Sequence, residues 1–151
     1  MKRSMMSWGL VMLFVARLFG CATMGDQASS APSLYKRLGG REGIAIVVGD
    51  FVGTMAADPR VSARFKDMKG PDVEKLKSNI ADQICDATGG PCSYLGRDMK
   101  TTHKGMKITE AEWSATVDNL GKALDKNKVG DKEKRELVGL LAPMKPDIVG
   151  Q

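Results

Sequence analysis

The chain holds one histidine, His103, and three cysteines, Cys21, Cys85 and Cys92. These side chains have the widest chemical reach in the sequence. A neutral imidazole is a metal ligand and an acid–base group near neutral pH. His103 stands in a segment, 97–105, with weak helix tendency: Thr101, Thr102 and Gly105 are poor helix formers and the apolar stripe is thin. Such a segment needs outside help to stay ordered, and a bond from the imidazole to a metal supplies it. Upstream, Leu76, Ile80 and Ile84 recur as a wholly aliphatic stripe at helical spacing. One imidazole beside an apolar slot is the composition of a haem pocket. The plainer alternative is a structural or merely exposed histidine.

Cys85 and Cys92 remain as an even pair once Cys21 is set aside. In an oxidising compartment they can close a short disulfide loop. Two reduced thiols, one packed as a small hydrophobe, is the other reading. A zinc site built from Cys85, Cys92 and His103 fits poorly, because spacings of seven and eleven are not the tight pairs of zinc sites and no fourth ligand is evident. A C-x-x-C-H motif is absent from the sequence, so covalent c-type haem is not expected.

The N-terminal stretch reads as an export signal. Lys2 and Arg3 precede an apolar run from Met5 through Val15, too short for a comfortable membrane span and suited to a signal-peptide core. Leu18-Phe19-Gly20-Cys21 resembles a bacterial lipobox. That implies a signal peptide over 1–20, lipid on Cys21, a tether over 21–33 and a folded domain over 34–149. An uncleaved N-terminal anchor is the alternative. Either way the domain faces the periplasm or the exterior, held to a membrane, and a lipoprotein in a Gram-negative cell goes to the outer membrane. The net charge of +5 does not point to nucleic acid. Losing residues 1–20 removes Lys2, Arg3 and Arg17 and no acid, leaving +2 on a chain whose charges are interleaved.

The elements that must position these residues are helical. Ile44, Val47, Val48, Phe51, Val52 and Met55 predict a helix over 41–57. Asp58-Pro59 restarts the chain, with Asp58 as cap, in a short helix ending near Phe65. After the Lys69–Asp72 break, Val73, Leu76, Ile80, Ile84 and Ala87 mark a helix that Gly89-Gly90-Pro91 ends. Thr109-Glu110-Ala111-Glu112 is a capping box that opens a helix carrying Trp113, Val117, Leu120 and Leu124. A last helix, capped by Asp131, puts Leu137, Leu140, Leu141, Met144 and Ile148 on one face, kinked at Pro143. The class is all-α.

The chain resembles a group 1 truncated haemoglobin. The residues that carry the resemblance are Leu34-Tyr35-Lys36-Arg37-Leu38-Gly39-Gly40, Ala57-Asp58-Pro59-Arg60, Phe65, Gly89-Gly90-Pro91, Tyr94-Leu95-Gly96-Arg97-Asp98-Met99, His103-Lys104-Gly105, Ile108-Thr109-Glu110, Ala142-Pro143 and Asp147-Ile148-Val149. They cover about 34–149. The resemblance implies a truncated globin, a two-over-two helical sandwich around haem b, with His103 as the iron ligand. It implies that Phe65 lies against the porphyrin and that Tyr94, Lys75 and Lys77 sit near the propionates; Met99 is a further candidate at the iron, with core filler as its plainer reading. For the lysines, plain solvent exposure is an equal reading.

On the distal side this sequence departs from the family. Many relatives carry a tyrosine near the end of the second helix and a glutamine in the next long helix, which donate hydrogen bonds to bound oxygen. The matching positions here are Val52 and Ile80, with Phe51 and Leu76 beside them and Gln83 as the nearest polar candidate. The expected function is binding of a diatomic gas, whether oxygen, nitric oxide or carbon monoxide. A haem enzyme that detoxifies nitric oxide or peroxide, served by an unidentified redox partner, is the alternative.

Overall fold

The computed structural model describes residues 31–151. The signal peptide, the lipid-bearing Cys21 and most of the tether lie outside the described residues.

The described residues form six α-helices, in order α1 (Leu34–Arg37), α2 (Gly40–Ala57), α3 (Gly70–Ala87), α4 (Met99–His103), α5 (Glu110–Lys126) and α6 (Asp131–Leu141). Two 3-10 helices, Ser62–Phe65 and Ala142–Asp147, complete the set. Among the described residues the sole β feature is an isolated bridge between Ile108 and Val149.

Local chemistry explains the starts. The Ser33 side chain accepts from the Lys36 amide and opens α1. Gly39 and Gly40 then adopt φ of 85° and 67°, which turns the chain sharply into α2. At α5 the capping box is reciprocal: the Glu112 amide donates to Thr109 Oγ1 (3.2 Å) and the Thr109 amide donates to Glu112 Oε2 (2.8 Å).

Helix α2 is the hub. It packs on α3 along one side and on α5 along another, and α5 packs in turn on α6. These pairs, α2/α3 and α5/α6, form the two-over-two sandwich. The core is their shared apolar interior, with Val48, Val52, Leu124 and Leu137 almost wholly buried. A gap of about 10 Å³ lined by Leu38, Ile44, Val47, Ile84, Leu124 and Leu137 is the size of a single water at most. The core is therefore filled, and anything large must sit elsewhere.

Three expectations need correction. Asp58 does not cap a helix directly. Its side chain and carbonyl build a turn through Arg60, Val61 and Ser62, and the 3-10 helix begins after Val61. Asp131 is the first residue of α6, with Gly130 at the cap position. The last helix is not one kinked rod: α6 stops at Leu141 and the chain continues as 3-10. Pro143 and Pro146 both lack an amide proton, so the α pattern loses two donors in quick succession. The change of winding also breaks the expected apolar face. Leu137 is buried, Leu141, Met144 and Ile148 are half-buried, and Leu140 is exposed.

Candidate functional site

Helix α4 is barely more than one turn and cannot stand on its own hydrogen bonds. Its start is fixed by Asp98, whose Oδ1 accepts from the Thr101 amide at 2.8 Å. The hydrogen bonds from Thr101 hold the Asp98 carboxyl below its ordinary range, so it stays ionised at the positive end of the helix. Its last residue is His103.

The imidazole of His103 is half-buried. Nδ1 lies 2.8 Å from the Met99 carbonyl oxygen, one turn back. A carbonyl only accepts, so Nδ1 must donate. In the neutral ring the lone pair then belongs to Nε2. This is how a ligating histidine is oriented: the second nitrogen is tied to a carbonyl and the first is presented to a metal.

The stretch after His103 is also pinned. Arg64, beside Phe65 in the first 3-10 helix, donates to the Met106 carbonyl at 2.9 Å and pairs with Glu112 through Nε at 2.7 Å. The Arg64 guanidinium and then the Thr109 amide hold the Glu112 carboxyl down at about 2. The Lys107 amide donates to Gln151 O (2.6 Å), and the Gly150 amide to Ile108 O (2.8 Å). Helix α4 packs on the second 3-10 helix, just before that tail. Sequence reasoning missed Arg64, Asp98 and the tail as supports. Asp98, preceding a helical segment, was a readable cap signal; the other bonds run largely through backbone carbonyls, which no residue type advertises.

The apolar candidates divide in two. Phe51 and Val52 are buried in the core. Phe65, Val73, Leu76 and Ile80 pack against the core yet stay only half-buried. They leave apolar surface outside the filled interior. Half-buried apolar side chains and one metal-competent imidazole are the groups that a porphyrin, a flat apolar disc around a metal, calls for, so the residue types fit a haem.

The polar candidates are partly committed. Tyr94 donates its hydroxyl to the Arg97 carbonyl at 2.8 Å. Lys77 pairs with Glu74 at 2.8 Å, and Lys75 is exposed. Gln83 Nε2 lies 3.5 Å from Met144 Sδ, so its amide is directed at the second 3-10 helix. Met99 is half-buried. Cys85 and Cys92 are joined as a disulfide with a Cα–Cα distance of 5.8 Å. A larger open hollow of about 500 Å³ is lined by Thr54, Ala57, Asp58, Pro59, Arg60, Asn119 and Lys122. None of the site candidates lines it. The Arg60–Asp58 and Arg60–Asp118 ion pairs at its rim make it a poor seat for a porphyrin.

Comparison with known proteins agrees with this architecture. The bacterial-like globin family matches residues 33–149. The group 1 truncated hemoglobin GlbN of Mycolicibacterium paratuberculosis is 33% identical over 116 residues, covering 77% of this chain and 83% of that protein. The crystal structure of truncated hemoglobin from Tetrahymena pyriformis in its Fe(III) form superposes with a TM-score of 0.74 at 28% identity, over 80% of this chain and 100% of that one. The 2/2 hemoglobin of Synechococcus sp., solved in the cyanomet state with covalently attached heme, gives 0.71 at 27% identity, over 78% and 98%. Helix order, sandwich packing and sequence together place this chain in the bacterial-like globin family, as a two-over-two globin related to the group 1 truncated hemoglobins.

Proposed function

We propose that this globin holds haem b through His103 Nε2 and binds a small diatomic gas. One observation carries the reading: the His103 ring is locked by Nδ1 to the Met99 carbonyl, on a helix too short to hold itself, with Nε2 left to coordinate. Bound haem supplies an iron with a coordination position for a diatomic ligand. The chain supplies the rest. Phe65, Val73, Leu76 and Ile80 cover the ring with apolar surface and exclude water. Tyr94, Lys75 and Lys77 belong at the propionate edge. Met99 orients the histidine through its carbonyl.

Val52, Leu76 and Ile80 offer no hydrogen-bond donor, and Gln83 is turned toward Met144. Oxidation of nitric oxide or reduction of peroxide draws on polar groups at the ligand. This set favours plain gas binding over catalysis, and within gas binding it favours neutral ligands such as carbon monoxide and nitric oxide over oxygen.

The reading extends to location. The disulfide supports an oxidising compartment, in keeping with export by residues 1–20 and anchoring through lipid on Cys21.

The test is spectroscopic. The full chain titrated with haemin should develop a Soret band at one haem per chain, and His103→Ala should lose stable uptake, because the imidazole bond is the one strong link in such a site. Normal haem retention by His103→Ala would overturn the assignment.

A further inference from the structure

We propose that the Cys85–Cys92 disulfide is a redox-cleavable brace for the segment that carries His103, and that small thiols open and close it through Cys92. Its connection to His103 as a haem ligand rests on the functional reading above; the brace itself does not.

The segment 92–98 joins the end of α3 to the start of α4. It contributes almost nothing to the core. Leu95, its one large aliphatic side chain, is 92% exposed. Tyr94 spends its hydroxyl inside the segment, on the Arg97 carbonyl. Thr102 also bonds the Arg97 carbonyl, at 3.3 Å, so that contact too is internal to the segment and α4. Two bonds tie 92–98 back to α3: the Tyr94 amide to Asp86 Oδ2 (3.1 Å), which is exposed, and the disulfide. Cys85 is fully buried, so the covalent tie reaches into the core. The fit around it is close. A Cβ on Gly90 would meet Cys85 Sγ at 2.5 Å and the Tyr35 ring at 2.6 Å.

The two sulfurs are not equivalent. Cys85 is shielded, whereas Cys92 is half-buried. Arg41 Nη1 lies 3.2 Å from Cys92 Sγ and is held there by Asp82 at 2.8 Å. A guanidinium beside a sulfur favours its thiolate form. In the closing direction the Cys92 thiolate attacks a small disulfide, RSSR, forms Cys92–S–S–R and releases RS⁻. Cys85 then gives its proton to the released RS⁻, attacks Cys92 Sγ and expels the second RS⁻, which takes the Cys92 proton from solvent. The sum is protein dithiol plus RSSR to protein disulfide plus two RSH. Opening runs the same path backward, with the external thiolate attacking Cys92 Sγ.

With the disulfide open, one exposed hydrogen bond holds the segment to α3, and α4 loses the fixed approach on which Asp98 and His103 depend. The experiment equilibrates the haem-free full chain in glutathione buffers of stepped ratio. Alkylation with peptide mass mapping reports Cys85 and Cys92 separately from Cys21. Amide hydrogen exchange is read at each step. Exchange over 93–103 should speed up about tenfold or more on reduction, while α2 and α5 stay unchanged. The mixed disulfide with glutathione should form on Cys92 and not on Cys85. Haem-loaded chain, given an apomyoglobin acceptor, should release haem faster when reduced by a similar factor. A Cys85→Ser/Cys92→Ser variant should match the reduced chain and ignore glutathione. If that variant does not fold, the reduced unmodified chain carries the test by itself. Equal exchange over 93–103 in the oxidised and reduced chains would overturn the brace. Glutathione on Cys85 would overturn the assigned route. A chain that binds no haem yet shows the exchange difference would sink the haem reading and leave the brace standing.

Discussion

At the scale of single residues, the direction of one proton decides what His103 can do. The bond from Nδ1 to the Met99 carbonyl fixes the tautomer, and the same ring with Nδ1 unbound would present either nitrogen. The histidine was readable in the sequence because it has no rival. Its partner was not, because a backbone carbonyl has no residue type. Gln83 shows the reverse. Its type suggested a donor to the ligand, but the fold turns its amide to Met144. A donor-free ligand pocket, as proposed above, has a kinetic signature. Oxygen accumulates negative charge when it binds and gains from a donor; carbon monoxide stays near neutral and gains less. A hydrogen bond to a charged partner is worth roughly 1.5–3 kcal/mol, so a missing donor speeds oxygen release about tenfold to a hundredfold. Val52→Tyr should slow oxygen release by that order and leave carbon monoxide affinity nearly unchanged. Val52 is 2% exposed, so the larger ring should also lower the melting temperature. Flash photolysis reads the first effect and calorimetry the second. Gln83→Leu should leave oxygen release as it is; a slow off-rate in the unmodified protein, lost in that variant, would move the donor to Gln83.

At the scale of elements, the helices with continuous apolar stripes were legible and the segments held by distant partners were not. The stripe from Ile44 to Met55 and the Thr109–Glu112 box correspond to α2 and to the start of α5. The final helix was misjudged because periodicity continued past Pro143 while the supply of amide protons did not. Glu112 shows how one side chain joins elements. It caps α5, pairs with Arg64 on the first 3-10 helix and, through Arg64, braces the Met106 carbonyl after His103. Its carboxyl lies at about 2 in the fold against an ordinary 4.5. The sign is that of a depressed acid: the contribution is complete above about pH 4.5 and disappears as pH falls toward 2. Glu112→Gln should therefore lower stability at pH 6 and flatten the acid side of the stability–pH curve, measured by urea unfolding. A curve of unchanged steepness below pH 4.5 would show that Glu112 does not couple folding to pH.

At the scale of the described domain, a filled core lies against a half-buried apolar face. Leu124 is wholly buried in a core with almost no spare volume, so Leu124→Ala should cost roughly 2–5 kcal/mol, read from the urea midpoint. Phe65, Val73, Leu76 and Ile80 pack against that interior and stay half-buried. Location is tested at this scale too. Cys21→Ser should release the domain from membrane fractions or arrest its processing, as followed by fractionation and mass; undiminished membrane association would favour an uncleaved anchor. The bonds from the Lys107 amide to the Gln151 carbonyl and from the Gly150 amide to the Ile108 carbonyl also set a timetable. A chain made from its N-terminus exposes His103 dozens of residues before the tail that steadies it, and α2, α3 and α5 can meet in the meantime. The stretch after His103 is thus among the last parts of the described fold to be pinned. A nascent chain stalled short of Pro146 would already have its core and still lack the bonds that steady the stretch after His103.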